Sequence, residues 1–173
     1  MNREAYNIDE ENLPFVGHDV WNCYEVSAIT EKGRPVSGVL KISYPADSKY
    51  HVESKSIKLY LNSFNMDQFG EHKDECIAII EELITQDLSE LLECDVTSKL
   101  HTQDSLKLDC SDTWLGFTGF SNIEEIVDFD NVEFTSFKSD ASQLEAAEPG
   151  IQITFLHSDM LRSNCRVTNQ PDW

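Results

Sequence analysis

The chain has 173 residues, 40% of them hydrophobic and 26% charged, with a formal net charge of −19. That length supports one domain with its own core, or a domain with a short appendage. No run of about 18 apolar residues is present to cross a membrane as a helix. So acidic a chain repels a phosphate backbone, and no basic stripe offsets this, which argues against direct binding to nucleic acid.

Residues 1–12 are polar and acidic and read as a disordered lead-in. They resemble neither a secretory signal nor a transit peptide, so the cytoplasm is the expected location. Leu13-Pro14-Phe15 is the first apolar anchor. Residues 20–29, VWNCYEVSAI, are rich in aromatic and β-branched side chains and predict a strand. Glu31-Lys32-Gly33-Arg34-Pro35 predicts a turn, and 36–44, VSGVLKISY, a second strand closing an antiparallel hairpin.

After a loop, Ile57, Leu61 and Phe64 stand at i, i+4, i+7, which predicts a short helix. Residues 72–92 carry the strongest helical pattern, with Ile77, Ile80, Ile84, Leu88 and Leu91 as the apolar stripe and acidic residues opposite. Residues 94–108 alternate weakly and suggest a strand, and 109–122 read as loop. Strands are expected at 131–137 and 151–156, with a polar insert between them. The resulting order, strand-strand-helix-helix-strand-strand, is an α+β pattern with helices on one face of an antiparallel sheet.

The five cysteines, at 23, 76, 94, 110 and 165, form no Cys-x-x-Cys pair, which opposes both a disulfide framework and a zinc ribbon. All but Cys165 read as packing residues or neutral filler. The histidines show no metal-ligand spacing, so no metal site is expected. Neither a Gly-x-Gly-x-x-Gly turn nor a Walker loop occurs.

Two segments hold the remaining chemistry. In Glu53-Ser54-Lys55-Ser56-Ile57-Lys58-Leu59-Tyr60, the two lysines are i, i+3 on a helix start, and Ser54 and Ser56 can cap it. Such a helix start suits an anion, including dinucleotide phosphates. Read by itself, it is equally a solvated, serine-capped helix end. In the stretch from Ser163 to Trp173, a thiol at Cys165 precedes a carboxylate at Asp172 by seven residues, with Arg166 beside the sulfur. The thiolate is a nucleophile and the carboxyl a possible acid. Taken alone, this is a Cys and an Asp in a polar tail.

Together these segments resemble the 7-cyano-7-deazaguanine reductases. Residues 53–60 are similar to that family's signature, and Ser163-Asn164-Cys165, Thr168 and Gln170-Pro171-Asp172-Trp173 are similar to its catalytic segment. The signature precedes the Cys segment, as in the long, two-module form. Further similarity lies in Asn12-Leu13-Pro14-Phe15, Trp21, Tyr24-Glu25 and Leu61-Asn62-Ser63-Phe64-Asn65.

The resemblance implies a tunnelling fold, a ββααββ module over residues 13–160, with 161–173 starting a second module. It implies NADPH-dependent reduction of a nitrile to an amine in queuosine biosynthesis, through a covalent thioimide on Cys165, with Asp172 as proton donor. It implies cofactor contacts from Ser54, Lys55, Ser56 and Lys58, and substrate contacts from Glu53 and Ser54. The long form carries further substrate and cofactor residues in its second module, so a partner module or self-association is expected. Two alternatives share the fold: an amidinotransferase acting on the same nitrile without NADPH, and a purine-binding half-module with a structural role.

Overall fold

The computed structural model describes residues 3, 7–9, 11–102, 120–135, 142, 153–158, 163–164, 168 and 171–172. The chain divides into two compact units, Met1–Leu115 with Arg162–Trp173, and Gly116–Leu161.

The first unit begins with the expected hairpin. Strand β1 (His18–Ile29) pairs antiparallel with β2 (Pro35–Pro45). The turn between them is set by Gly33 at φ +80°, a left-handed value that glycine adopts without Cβ strain. Thr30 closes it, its amide donating to the Arg34 carbonyl at 2.9 Å and its hydroxyl oxygen accepting from the Arg34 amide at 3.1 Å. The register runs regularly to Cys23↔Leu40 and resumes at Val26↔Gly38, so Tyr24 and Glu25 together oppose Val39. This is a β-bulge, and it leaves both of those side chains exposed.

Helix α1 (Ser54–Ser63) buries Ile57 and Leu61, and a 3-10 turn (Phe64–Met66) adds Phe64. Helix α2 (Lys73–Leu92) follows, and β3 (Thr97–His101) returns antiparallel to β2 in the sheet order β1-β2-β3. The outer side of β3 is closed by Glu81 of α2, whose carboxylate accepts from the Leu100 amide at 2.7 Å and from Lys99 Nζ at 3.0 Å. A helix thus satisfies backbone groups that an edge strand would otherwise present.

The helices and sheet share one core: Val26, Ala28, Leu40, Ile42 and Tyr44 meet Ile57, Leu61, Phe64, Ile80, Ile84 and Leu88. The α2 stripe is shifted from the expected one. Cys76, Ile80, Ile84, Leu88 and Leu92 are buried, a row at strict i+4 spacing, while Leu91 is 67% exposed and Ile77 only partly covered. A helix laid on a sheet buries its i+4 row along the contact line, and neighbours one residue off that row fall to the margins.

A second hairpin in this unit pairs β6 (Ser163–Asn164) with β7 (Pro171–Asp172) antiparallel, Ser163 opposite Asp172. Cys165 itself lies outside the described residues.

In the second unit, β4 (Ser121–Asn122) pairs in parallel with β5 (Leu156–His157), and α3 (Ile123–Ile126) is capped by the Asn122 side chain. Three expectations change here. Residues 121–122 form a strand instead of loop, and 153–155 are irregular. Residues 132–135 are not strand either, and a 3-10 turn occupies Phe129–Asn131. Asn131 Nδ2 donates to Asp128 Oδ2 at 2.6 Å, the local side-chain bonding by which Asp and Asn draw backbone into turns. The α+β class stands, and residues 18–101 follow the tunnelling-fold order ββααβ.

Candidate active site

Helix α1 carries the whole 53–60 signature, and the fold divides it between two flanks. At about 100° per residue, the inward face holds Ile57, Leu61 and Phe64. Glu53, Ser56 and Tyr60 fall on one side of that face. Lys58, Asn62 and Asn65 fall on the other, with Lys55 continuing their line outward.

The first flank opens on a groove of about 610 Å³, lined by Tyr50, His51, Glu53, Ser56, Tyr60 and Asp87 among others. Glu53, not a serine, is the N-cap of α1: its Oε2 accepts from the Ser56 amide at 2.7 Å and from Ser56 Oγ at 2.8 Å. The expected serine caps are therefore corrected, since Ser54 and Ser56 lie within the helix. Glu53 outcompetes them because a carboxylate at the positive helix end gains both a charge-assisted bond and the dipole. The Ser56 hydroxyl, with the Lys55 and Ser56 amides, draws the Glu53 pKa below the usual carboxylate value.

This cap has a chemical consequence. The helix-end amides that would meet a phosphate already meet a carboxylate. Tyr60 is also engaged, donating to Asp87 Oδ2 at 2.6 Å, and burial, then this bond and the charge of Asp87, push its pKa up. With Glu53 and Asp87 around it, and Glu93 paired with Lys49 at 3.3 Å, the groove carries net negative charge, which disfavours phosphate.

The segment leading into Glu53 is fixed from the core. The hydroxyl of Tyr44, 1% exposed, accepts from Trp21 Nε1 at 3.0 Å and from the Val52 amide at 3.5 Å. Beside it, His51 Nδ1 lies 3.3 Å from Asp19 Oδ2.

The second flank is cationic at its start. Lys55 and Lys58 are exposed. Lys58 lies near Cys23 of β1, where burial pushes the thiol pKa up to about 11 and the ammonium partly offsets it. Cys23, Cys76 and Cys94 are free thiols, Cys76 buried and the other two partly covered, in keeping with packing roles. Cys110, like Cys165, falls outside the described residues.

Of the expected site residues, the structure brings Lys55 and Lys58 together on one flank and Glu53 and Ser56 together on the other. Asp172 is placed only as backbone, in β7 opposite Ser163. Among the described residues, no cluster of His, Cys, Asp and Glu could hold a metal ion, and no helix is long and apolar enough to cross a membrane.

The sequence model described as nitrile reductase, 7-cyano-7-deazaguanine-reductase N-term, matches residues 1–100. The chain belongs to that family. Among curated proteins it is 36% identical over 177 residues to the NADPH-dependent 7-cyano-7-deazaguanine reductase of Colwellia psychrerythraea, covering 100% of this chain and 58% of that protein. It is 37% identical to the protein of the same name from Rickettsia canadensis and 39% identical to that from Rickettsia akari, covering 99% of this chain and 58% of each relative. The chain thus spans a little over half the length of these relatives.

Proposed function

We propose that this chain contributes the N-terminal part of an NADPH-dependent 7-cyano-7-deazaguanine reductase of queuosine biosynthesis, working in the cytoplasm on a small molecule without touching tRNA. The reading rests on the family match together with one geometric observation: α1 presents Lys55 and Lys58 on a single exposed flank of a chain that has only 13 basic residues. Two ammonium groups one turn apart suit a pyrophosphate or a 2′-phosphate, and Ser54 adds a hydroxyl near them. When bound, NADPH supplies hydride, two equivalents being needed to take a nitrile to an amine.

In this reading the Cys165 thiolate adds to the nitrile carbon. A C–S bond forms, one π bond of the C≡N opens, and the nitrogen takes a proton from Asp172, giving a thioimide. Covalent capture replaces one difficult reduction by steps on a more polarised C=N. The acid at Asp172 lowers the barrier because the nitrogen gains basicity as the triple bond opens. Glu53, ionised and at the mouth of the first groove, is the carboxylate for the N–H groups of the deazapurine edge.

The two lysines and Glu53 stand on opposite flanks of α1, with Ser56, expected as a cofactor residue, bonded to Glu53 instead, so one copy of this helix does not bring the two ligands together. We therefore read residues 13–160 as one module and 161–173 as the opening of another. A second module, or a second copy, supplies the other half of the site.

Mixing the chain with 7-cyano-7-deazaguanine tests the chemistry. The expected results are a thioimide absorbance band, and a mass adduct that maps to Cys165 and is lost in Cys165→Ala. No adduct, with or without a second-module chain, would overturn the reading. An adduct that NADPH leaves unreduced, with a second-module chain present, would overturn the cofactor assignment.

A further inference from the structure

The second flank of α1 continues past the lysines into a groove of about 570 Å³, lined by Tyr24, Glu25, Ser27, Gly38, Asn62, Asn65 and His101 among others. Two of the segments that resemble the reductases, Tyr24-Glu25 and the stretch from Leu61 to Asn65, meet here, and neither has a part in the chemistry above. The bulge in β1 sets Tyr24, 60% exposed, and Glu25 side by side at the rim.

A directional chain of hydrogen bonds fixes the opposite wall. Ser27 Oγ donates to Asn65 Oδ1 at 2.8 Å, and Asn65 Nδ2 donates to Asn62 Oδ1. The Asn62 amide is thereby oriented with its oxygen toward Asn65, and its two N–H donors meet no partner among the described residues. Gly38 forms part of the floor. A Cβ there would stand 2.5 Å from the His101 carbonyl oxygen, so the position admits no side chain. His101, 4% exposed, has its pKa pushed down by burial, then by Lys41 and Lys99.

The groove therefore offers an amide donor, a carboxylate acceptor and an exposed aromatic ring. Lys58 stands four residues, about 6 Å of helix rise, before Asn62. A planar ring whose edge carries a carbonyl next to an N–H group matches these three features, with the carbonyl on Asn62, the N–H on Glu25 and the ring face on Tyr24. Tethered to a phosphate held by the lysines, that ring is a nicotinamide carboxamide. We infer that this groove holds the nicotinamide end of the dinucleotide whose phosphates lie on Lys55 and Lys58. The inference rests on the reading of those lysines given above.

Calorimetric titration of the full chain with two probes tests it: NADPH, and 2′-phosphoadenosine diphosphate ribose, which has the same phosphates and no nicotinamide. NADPH should bind more tightly. Asn62→Asp and Glu25→Gln, both near-isosteric, should each weaken NADPH about tenfold, the loss of one well-placed hydrogen bond, and leave the analogue unchanged. Equal affinity of the wild-type chain for both probes would overturn the nicotinamide assignment and leave the lysine site standing. Failure of both probes to bind would overturn the two together. Weaker binding of 7-cyano-7-deazaguanine in these variants, with NADPH unaffected, would make the groove a purine site and overturn the assignment as well.

Discussion

On one flank of α1 the polar groups close upon each other: Glu53 caps the helix through Ser56, and Tyr60 bonds to Asp87. On the other flank, an oriented Asn62 amide follows two exposed ammonium groups. The signature is continuous in sequence, yet its two halves do different work. The first secures the end of the helix and faces an acidic groove. The second leaves its donors outward, where a phosphorylated ligand can use them. Exposure and polarity look alike on the two sides. What separates them is whether each donor already has an acceptor, because only an unspent donor adds net binding energy to a ligand.

The largest effect should come from removing what both flanks stand on. Leu61, 3% exposed on the inward face of α1, joins them to the core. Leu61→Ala should cost about 2–5 kcal/mol in urea unfolding and weaken ligand binding on both sides. A variant that lost binding on one flank alone would show that the flanks are secured separately.

Next in size is the cationic flank. The double variant Lys55→Ala/Lys58→Ala should weaken NADPH by roughly 10- to 100-fold, as expected for charge-assisted bonds to phosphate. Its melting temperature should stay close to wild type, and most of the salt dependence of binding should disappear. Unchanged affinity would place the phosphates elsewhere.

The smallest effect is expected at the cap. Folding lowers the Glu53 pKa, so its contribution to stability is fully present above the unfolded carboxylate value and is lost as pH falls through the lower, folded one. Glu53→Gln should melt below wild type at neutral pH, and the gap should close as the solution is acidified through that window. A gap independent of pH would show that hydrogen bonding alone, without charge, makes the cap.

Much of the first unit was legible from periodicity. The hairpin of β1 and β2, helices α1 and α2, and β3 each fall where alternation or 3.6-residue spacing places them, because burial of one face imposes those periods. The weak points were local competitions. The apolar stretches near 131–137 and 151–156 carried strand-like composition, but pairing decides a strand, and among the described residues there only Leu156–His157 finds a partner. Asp128 and Asn131 turn the chain instead. The α2 stripe was read one residue off at both ends, since spacing alone does not tell which of two adjacent apolar rows meets the sheet.

The sequence by itself determined which residues place the chain in its family and their order along it, since the side-chain types available do not depend on what surrounds them. Only the tertiary structure decided how those groups are shared out. It made Glu53 rather than a serine the cap, set Tyr24 and Glu25 on a bulge facing Asn62, and turned the lysines away from the acidic groove. The physical reason is that hydrogen-bond partners and helix faces arise from packing against other elements, and no spacing along one chain segment encodes which donors that packing will use.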